Sequence, residues 1–170
     1  MNDDSEILFS EVQHFSRFFF WGLLLIVLPI SALIIIFVLP VQLQGAPNAG
    51  TLRLIIAAAL ILADLTSAAL LLSTRLITEV RRDGLFVKYF PFPFHWSFHR
   101  ISLDAVRSIE AVTYRPLIQY GGWGIRFGWK GRAYNARGNR GVRIEYLNGR
   151  HMLIGSQEPE KLADSIKAIR

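Results

Sequence analysis

The chain contains no cysteine, which excludes a disulfide framework, a thiolate zinc site and a thiol nucleophile. Charge is scarce as well: only 19% of the 170 residues are Asp, Glu, Lys or Arg, against 52% apolar ones. The scarcity is local. Residues 18–73 hold only Arg53 and Asp64, whereas residues 74–170 hold 17 of the 19 basic and 8 of the 13 acidic residues, an excess of nine positive charges. Residues 1–17 lean the other way, with Asp3, Asp4, Glu6 and Glu11 against Arg17. A mean hydropathy of +0.33 with that distribution excludes an ordinary soluble domain and implies two parts in different solvents.

The uncharged part reads as two membrane spans. Residues 18–39, FFFWGLLLIVLPISALIIIFVL, are 22 residues without a charge. As a helix they reach about 33 Å, enough for a hydrocarbon core of about 30 Å. Pro29 is expected only to bend that helix. A cleaved signal peptide is the competing reading, but the leader is acidic, the run is long and no A-x-A site follows. Residues 54–73 form the second span, and PVQLQGAPNAGT between the two has the Pro and Gly of a tight connection. Arg17 precedes the first span and Arg75, Arg81 and Arg82 follow the second, so both termini are expected in the cytosol.

Asp64 falls mid-span, where a charge costs about 2.5–3.5 kcal/mol. Two uses are open. It is either a polar contact between helices, with Ser31, Thr66 or Ser67 in reach, or the working residue of an ion or proton path. A single intramembrane acid is a poor transport pathway, which favours the contact.

From Arg75 onward the hydrophobic period changes to two. Leu76, Thr78 and Val80, then Leu85, Val87 and Tyr89, flank Asp83-Gly84, and GVRIEYL and RHMLIG flank Asn148-Gly149. Both read as hairpins. Residues 101–103 and 106–114 read as further strands, with 124–129 and 133–135 as weaker ones. A closing helix is predicted over 159–169, with Ser156 as its cap and Leu162, Ile166 and Ile169 on one stripe. About seven strands and one helix describe an α+β domain: a small β-barrel capped by a C-terminal α-helix. The expected organisation is a cytosolic segment 1–17, a transmembrane hairpin 18–73 and a cytosolic domain 74–170.

The order of pieces resembles the bacterial pleckstrin-homology-like (PH-like) domains attached to membrane spans. The stretches that carry the likeness are TRLITEVRRDGLFVKYFPF, ISLDAVRSIEAVTY and GVRIEYLNGRHMLIGSQEPEKLADSIKAI. The resemblance covers about residues 74–170. It implies a PH-like barrel on the bacterial inner membrane with a scaffolding or regulatory role, and it carries no catalytic residues.

Two segments stand out. In residues 89–99, YFPFPFHWSFH, aromatic rings recur at every second position and two prolines bar a central strand. Phe92, Phe94 and Trp96 are candidate membrane-interface residues, or simply a cap on the end of the barrel; Lys88 and Arg100 stand nearby. His95 and His99 have ligand spacing only on a helix, which the prolines exclude, so no metal is expected. Residues 121–143 hold seven glycines and six cations without an acid: Arg126, Lys130, Arg132, Arg137, Arg140 and Arg143. Glycine lets backbone N–H groups converge on an anion and arginine adds paired donors, so the six are candidate residues for an anion or a partner. The segment matches neither a phosphate-binding P-loop nor a dinucleotide fingerprint. A glycine-punctuated hairpin with a solvated basic edge is the plainer reading.

No nucleophile, base and acid fall into a catalytic pattern, and no cofactor is implied. The expectation is a non-enzymatic integral membrane protein whose cytosolic domain binds anionic lipid headgroups or a protein partner, not nucleic acid. The alternative is an accessory subunit or small carrier of a transmembrane complex that uses Asp64.

Overall fold

The computed structural model describes residues 6–15, 17–45, 47–91, 97–128 and 131–170. They divide into two compact units, residues 17–73 and a second unit made of residues 1–16 with 74–170.

The first unit is a helical hairpin. Helix α1, Arg17–Leu33, runs through Pro29 and passes into a π-helical turn, Ile34–Val38, and a short α2, Leu39–Gln42. The turn stands just before Pro40, whose ring supplies no N–H to an i→i−4 ladder. Helix α3, Ala49–Ser73, is 25 residues and about 37 Å long. Arg53 near its start donates to the Pro40 carbonyl at 3.0 Å, tying the turn together. Phe20–Gln42 and Ala49–Ser73 have hydropathies of 3.1 and 2.3, and each is long and apolar enough to cross a membrane. Only 6% of the first and none of the second is buried within the protein. Leu25 and Leu54 are 75% and 74% exposed, which separates these helices from the core helices of a soluble domain.

The second unit is α+β. Its first sheet is a four-stranded antiparallel meander of β1 (Ile7–His14), β2 (Arg75–Arg81), β3 (Gly84–Phe90) and β4 (His99–Ile101). The second sheet contains β5 (Val106–Thr113), β6 (Gly124–Gly128), β7 (Gly131–Asn135), β8 (Arg140–Tyr146) and β9 (His151–Gly155), in the order β5-β8-β9-β7-β6. A short helix α4, Pro116–Tyr120, links β5 to β6, and α5, Pro159–Ala168, ends the chain. The core lies between the sheets. Leu76, Val80, Leu85 and Val87 of the first sheet meet Val142, Ile144 and Ile154 of the second, and Leu162, Ala163 and Ile166 of α5 complete one cluster.

Both predicted hairpins form. Leu76 pairs Tyr89 and Val80 pairs Leu85 across a turn at Arg82-Asp83, one residue before the expected Asp83-Gly84 because Gly84 already pairs Arg81, and Val142 pairs Ile154 across Asn148-Gly149. The closing helix also forms, but Glu158 occupies its N-cap position while Ser156, two residues earlier, accepts the Glu158 N–H at 3.0 Å.

The closed barrel does not form. Among the described residues the strands make two open sheets, nine strands instead of about seven. Two pairings account for the difference. Residues 7–14, expected to be part of a separate cytosolic segment 1–17, form an eight-residue strand along β2. Strand β7 pairs β9 in parallel, which directs the glycine-rich hairpin into the second sheet.

Strand β1 also links the first sheet to the start of α5. The Gln13 side chain, 1% exposed, donates to the Gly155 carbonyl at 2.6 Å. The Glu11 carboxylate accepts the Ser156 hydroxyl at 2.6 Å and the Gln157 N–H at 2.8 Å.

Candidate functional site

The six candidate cations of residues 121–143 do not converge on one cradle. Their segment spans β6, β7, a bend and the start of β8, and alternate residues of a strand point to opposite faces. The register Arg126↔Ala133↔Leu153↔Arg143 sets Arg126 and Arg143 on one face of the second sheet, while Arg132 points to the other. Arg126 folds back, its Nε donating to the Trp123 carbonyl at 3.0 Å. The Arg132 guanidinium lies 5.2 Å from the centroid of Phe127, its cross-strand neighbour. Arg137 bonds Gln157 and Arg140 pairs with Glu160, so both attach to the start of α5. The Arg143 Nε is buried without a hydrogen-bond partner. Lys130 lies outside the described residues.

Several glycines of this region are required by contact, not by loop mobility. A Cβ on Gly131 would stand 1.5 Å from the His151 carbonyl oxygen, and one on Gly141 2.3 Å from that of Ile154. Strand ladders pass too closely there for any side chain.

The face that Arg126 and Arg143 share carries a second, smaller cluster of Tyr114, Ala133 and Leu153, flanked by Tyr120. Tyr120 meets Tyr114 edge-on at 6.0 Å, and its hydroxyl lies 3.0 Å from the His151 Nε2. Burial pushes the Tyr114 phenol up to about 12. The Asn135 side chain beside it opposes that shift, yet the Tyr114 hydroxyl and the Asn135 Nδ2 make no well-formed hydrogen bond. Burial likewise raises Tyr120, with the Arg143 charge pulling the other way, and raises Tyr89, opposed by Arg126. These phenols stay protonated at neutral pH and are not bases. Among the described residues no group of three or more His, Asp or Glu is placed to hold a metal ion.

Of the aromatic segment, Phe92, Phe94 and Trp96 lie outside the described residues. Asp64 is half-buried in α3 and makes no hydrogen bond or ion pair among the described residues.

The strongest gathering of cations and rings lies elsewhere, on the outer face of the first sheet. Leu76, Thr78 and Val80 point inward and are fully buried, so Arg75, Ile77, Glu79 and Arg81 point outward. The pairings Arg75↔Phe90, Ile77↔Lys88 and Phe86↔Arg100 carry the outer face across β3 and β4. Arg75 stands 5.1 Å from the Phe90 ring, Arg81 5.0 Å from both Phe86 and Phe98, and Lys88 5.7 Å from Phe98. Period-two alternation in RLITEVR and GLFVKYF holds this pattern. The more conspicuous glycine–arginine run masks it.

A family model described as "Family of unknown function (DUF6141)" matches residues 2–169. No curated protein and no solved structure matches the chain.

Proposed function

From the premise that the chain belongs to this family of unknown function, DUF6141, we propose that it is an integral membrane protein whose α+β domain is a non-enzymatic binding module for an anionic partner at the cytosolic surface. One observation carries the reading: α1 with its extension and α3 expose apolar side chains along almost their whole length. Water does not tolerate two such helices, and a hydrocarbon layer does. Connectivity supports an even number of crossings. The chain leaves the domain after His14 and re-enters it at Arg75, and these two residues are direct partners on β1 and β2. The Phe15 N–H adds a bond to the Thr74 carbonyl at 3.2 Å. A chain whose exit and return are paired in one sheet begins and ends on the same side of a bilayer.

Charge supports the cytosolic side, since Arg75, Arg81 and Arg82 follow α3 directly while at its other end only Arg53, near the start of α3, is basic. The excess of basic residues in 74–170 favours an anionic ligand. Relation to the PH-like domains belongs to the same proposal. It rests on the meander, the second sheet and the amphipathic closing helix, with β1 and the parallel β7–β9 pair as additions.

Two measurements test the reading. The protein should stay with membranes through alkaline carbonate washing, and a C-terminal reporter active only outside the cytosol should stay silent. Extraction by carbonate would remove the membrane assignment, and an active reporter would invert the topology.

A further inference from the structure

The outer face of the first sheet has two properties that no other surface of the domain combines among the described residues. It carries four cations against one acid, and in the chain it follows α3 directly. Its one acid, Glu79, is already engaged by Arg81 at 2.7 Å. Arg75 and Lys88 meet no carboxylate among the described residues, and Arg100 meets none either but gives one N–H to the Asp83 backbone carbonyl at 2.6 Å. Between them lie apolar side chains, the half-buried Phe86, Phe90 and Ile77 and the 48% exposed Val12.

We infer that this face docks on the anionic headgroup layer of the membrane that α1 and α3 cross. The inference rests on the membrane reading above and adds to it a surface and a ligand class. Covalent distance makes the first argument. Arg75 follows the last residue of α3 by two positions and Ile77 by four, so along an extended chain they lie within about 7 Å and 14 Å of it. The headgroup region of a bilayer is about 5–8 Å deep on each side. Arg75 is thus tethered within reach of the headgroup layer.

Chemistry makes the second argument. A guanidinium lying over a ring keeps its N–H donors free at the edge of its plane, where phosphate oxygens accept them. The rings and Val12 tolerate the partly apolar boundary beneath the headgroups, which a purely basic face would not. Each cation near an anionic surface favours the docked state about fivefold. Arg75, Lys88 and Arg100 together therefore favour it about a hundredfold.

The absence of native cysteine makes a direct test available. Ser10, exposed on the outer face opposite Glu79, and Asp164, exposed on α5, are each replaced by a single cysteine and labelled with a fluorophore. The full chain is placed in nanodiscs of neutral lipid or of neutral lipid with phosphatidylglycerol, with a quencher attached to the headgroups. The Ser10→Cys label should be quenched only with phosphatidylglycerol. It should be released as salt shortens the Debye length from about 10 Å to about 3 Å, and the Asp164→Cys label should report neither change. Arg75→Gln, Lys88→Gln and Arg100→Gln together should lower the docked-to-free ratio about a hundredfold, and the lipid and salt series on the unsubstituted face stands if that variant fails to fold.

Quenching at Ser10→Cys that ignores lipid charge and salt, or that is matched at Asp164→Cys, overturns the inference. Protection of Ser10→Cys by a co-purifying protein in neutral lipid also overturns it, in favour of protein docking. Failure to enter nanodiscs at all is a separate result, and it removes the membrane reading itself.

Discussion

Replacing Glu11 by Ala is expected to destabilise a domain whose other strands begin more than sixty residues later. Glu11 accepts the Ser156 hydroxyl at 2.6 Å and the Gln157 N–H at 2.8 Å, across 145 and 146 residues of chain. Ser156 is 3% exposed, so its hydroxyl has little water to turn to and keeps only the bond it accepts from the Glu158 N–H. A hydrogen bond to a charged group contributes about 1.5–3 kcal/mol. The exposed Gln157 N–H rehydrates and adds little. The expected loss is about 2–3 kcal/mol from a total of about 5–15 kcal/mol for an ordinary domain. Pulse proteolysis of the full chain in mild detergent, over a urea series, measures it. Ser156→Ala and the double variant complete a cycle whose coupling should be about 1–2 kcal/mol. Ser10→Ala, exposed on the other face of the same strand, should stay within about 0.5 kcal/mol. A Glu11→Ala loss no larger than that of Ser10→Ala, with no coupling to Ser156, would refute the account of β1 as part of the domain. A fragment starting at residue 74 lacks this strand and is expected to fold poorly for the same reason.

Two further outcomes follow from the second sheet. Gly131→Ala should abolish folding, because its Cβ would fall 1.5 Å from the His151 carbonyl oxygen, whereas Gly138→Ala meets open space and costs only the strain of its φ of 71°, about 1 kcal/mol; expression and proteolytic resistance of the two variants separate contact from flexibility. Alkaline titration should show the Tyr114 phenol ionising late. Its folded pKa, about 12, exceeds the usual 10.0, so its contribution is fully present below pH 10 and is lost as pH rises towards 12. Phenolate absorbance should therefore appear with unfolding, and Tyr114→Phe should be near neutral at pH 7 and reduce that alkaline loss. Early, reversible titration of Tyr114 would contradict its burial.

Local signals are legible in the amino-acid sequence alone. Asp83-Gly84 marks the first hairpin to within one residue of its Arg82-Asp83 turn, Asn148-Gly149 marks the second, and Leu162 and Ile166 declare a buried stripe through their spacing. The uncharged run in residues 18–39 and the run in 54–73, charged only at Asp64, mark helices that need an apolar surrounding, whatever their partners. Strand β1 is not legible in the same way. ILFSEVQH alternates imperfectly and carries Glu11 and Gln13 on the face that points inward, which resembles a solvated leader. Only the Ser156 hydroxyl and the Gly155 carbonyl, far along the chain, turn those polar groups into interior ones.

The glycine–arginine run shows the same limit from the other side. Its composition is that of an anion cradle. Pairing decides otherwise: the period of two sends Arg126 and Arg132 to opposite faces, Glu160 takes Arg140, and ladder contacts claim Gly131 and Gly141. Composition thus specifies two solvents, two long helices and the main turns, because each depends on neighbours within a few residues. Which cations gather, and which sheet a strand joins, depends on hydrogen bonds between residues distant in the chain, so these are decided only when the two sheets come together.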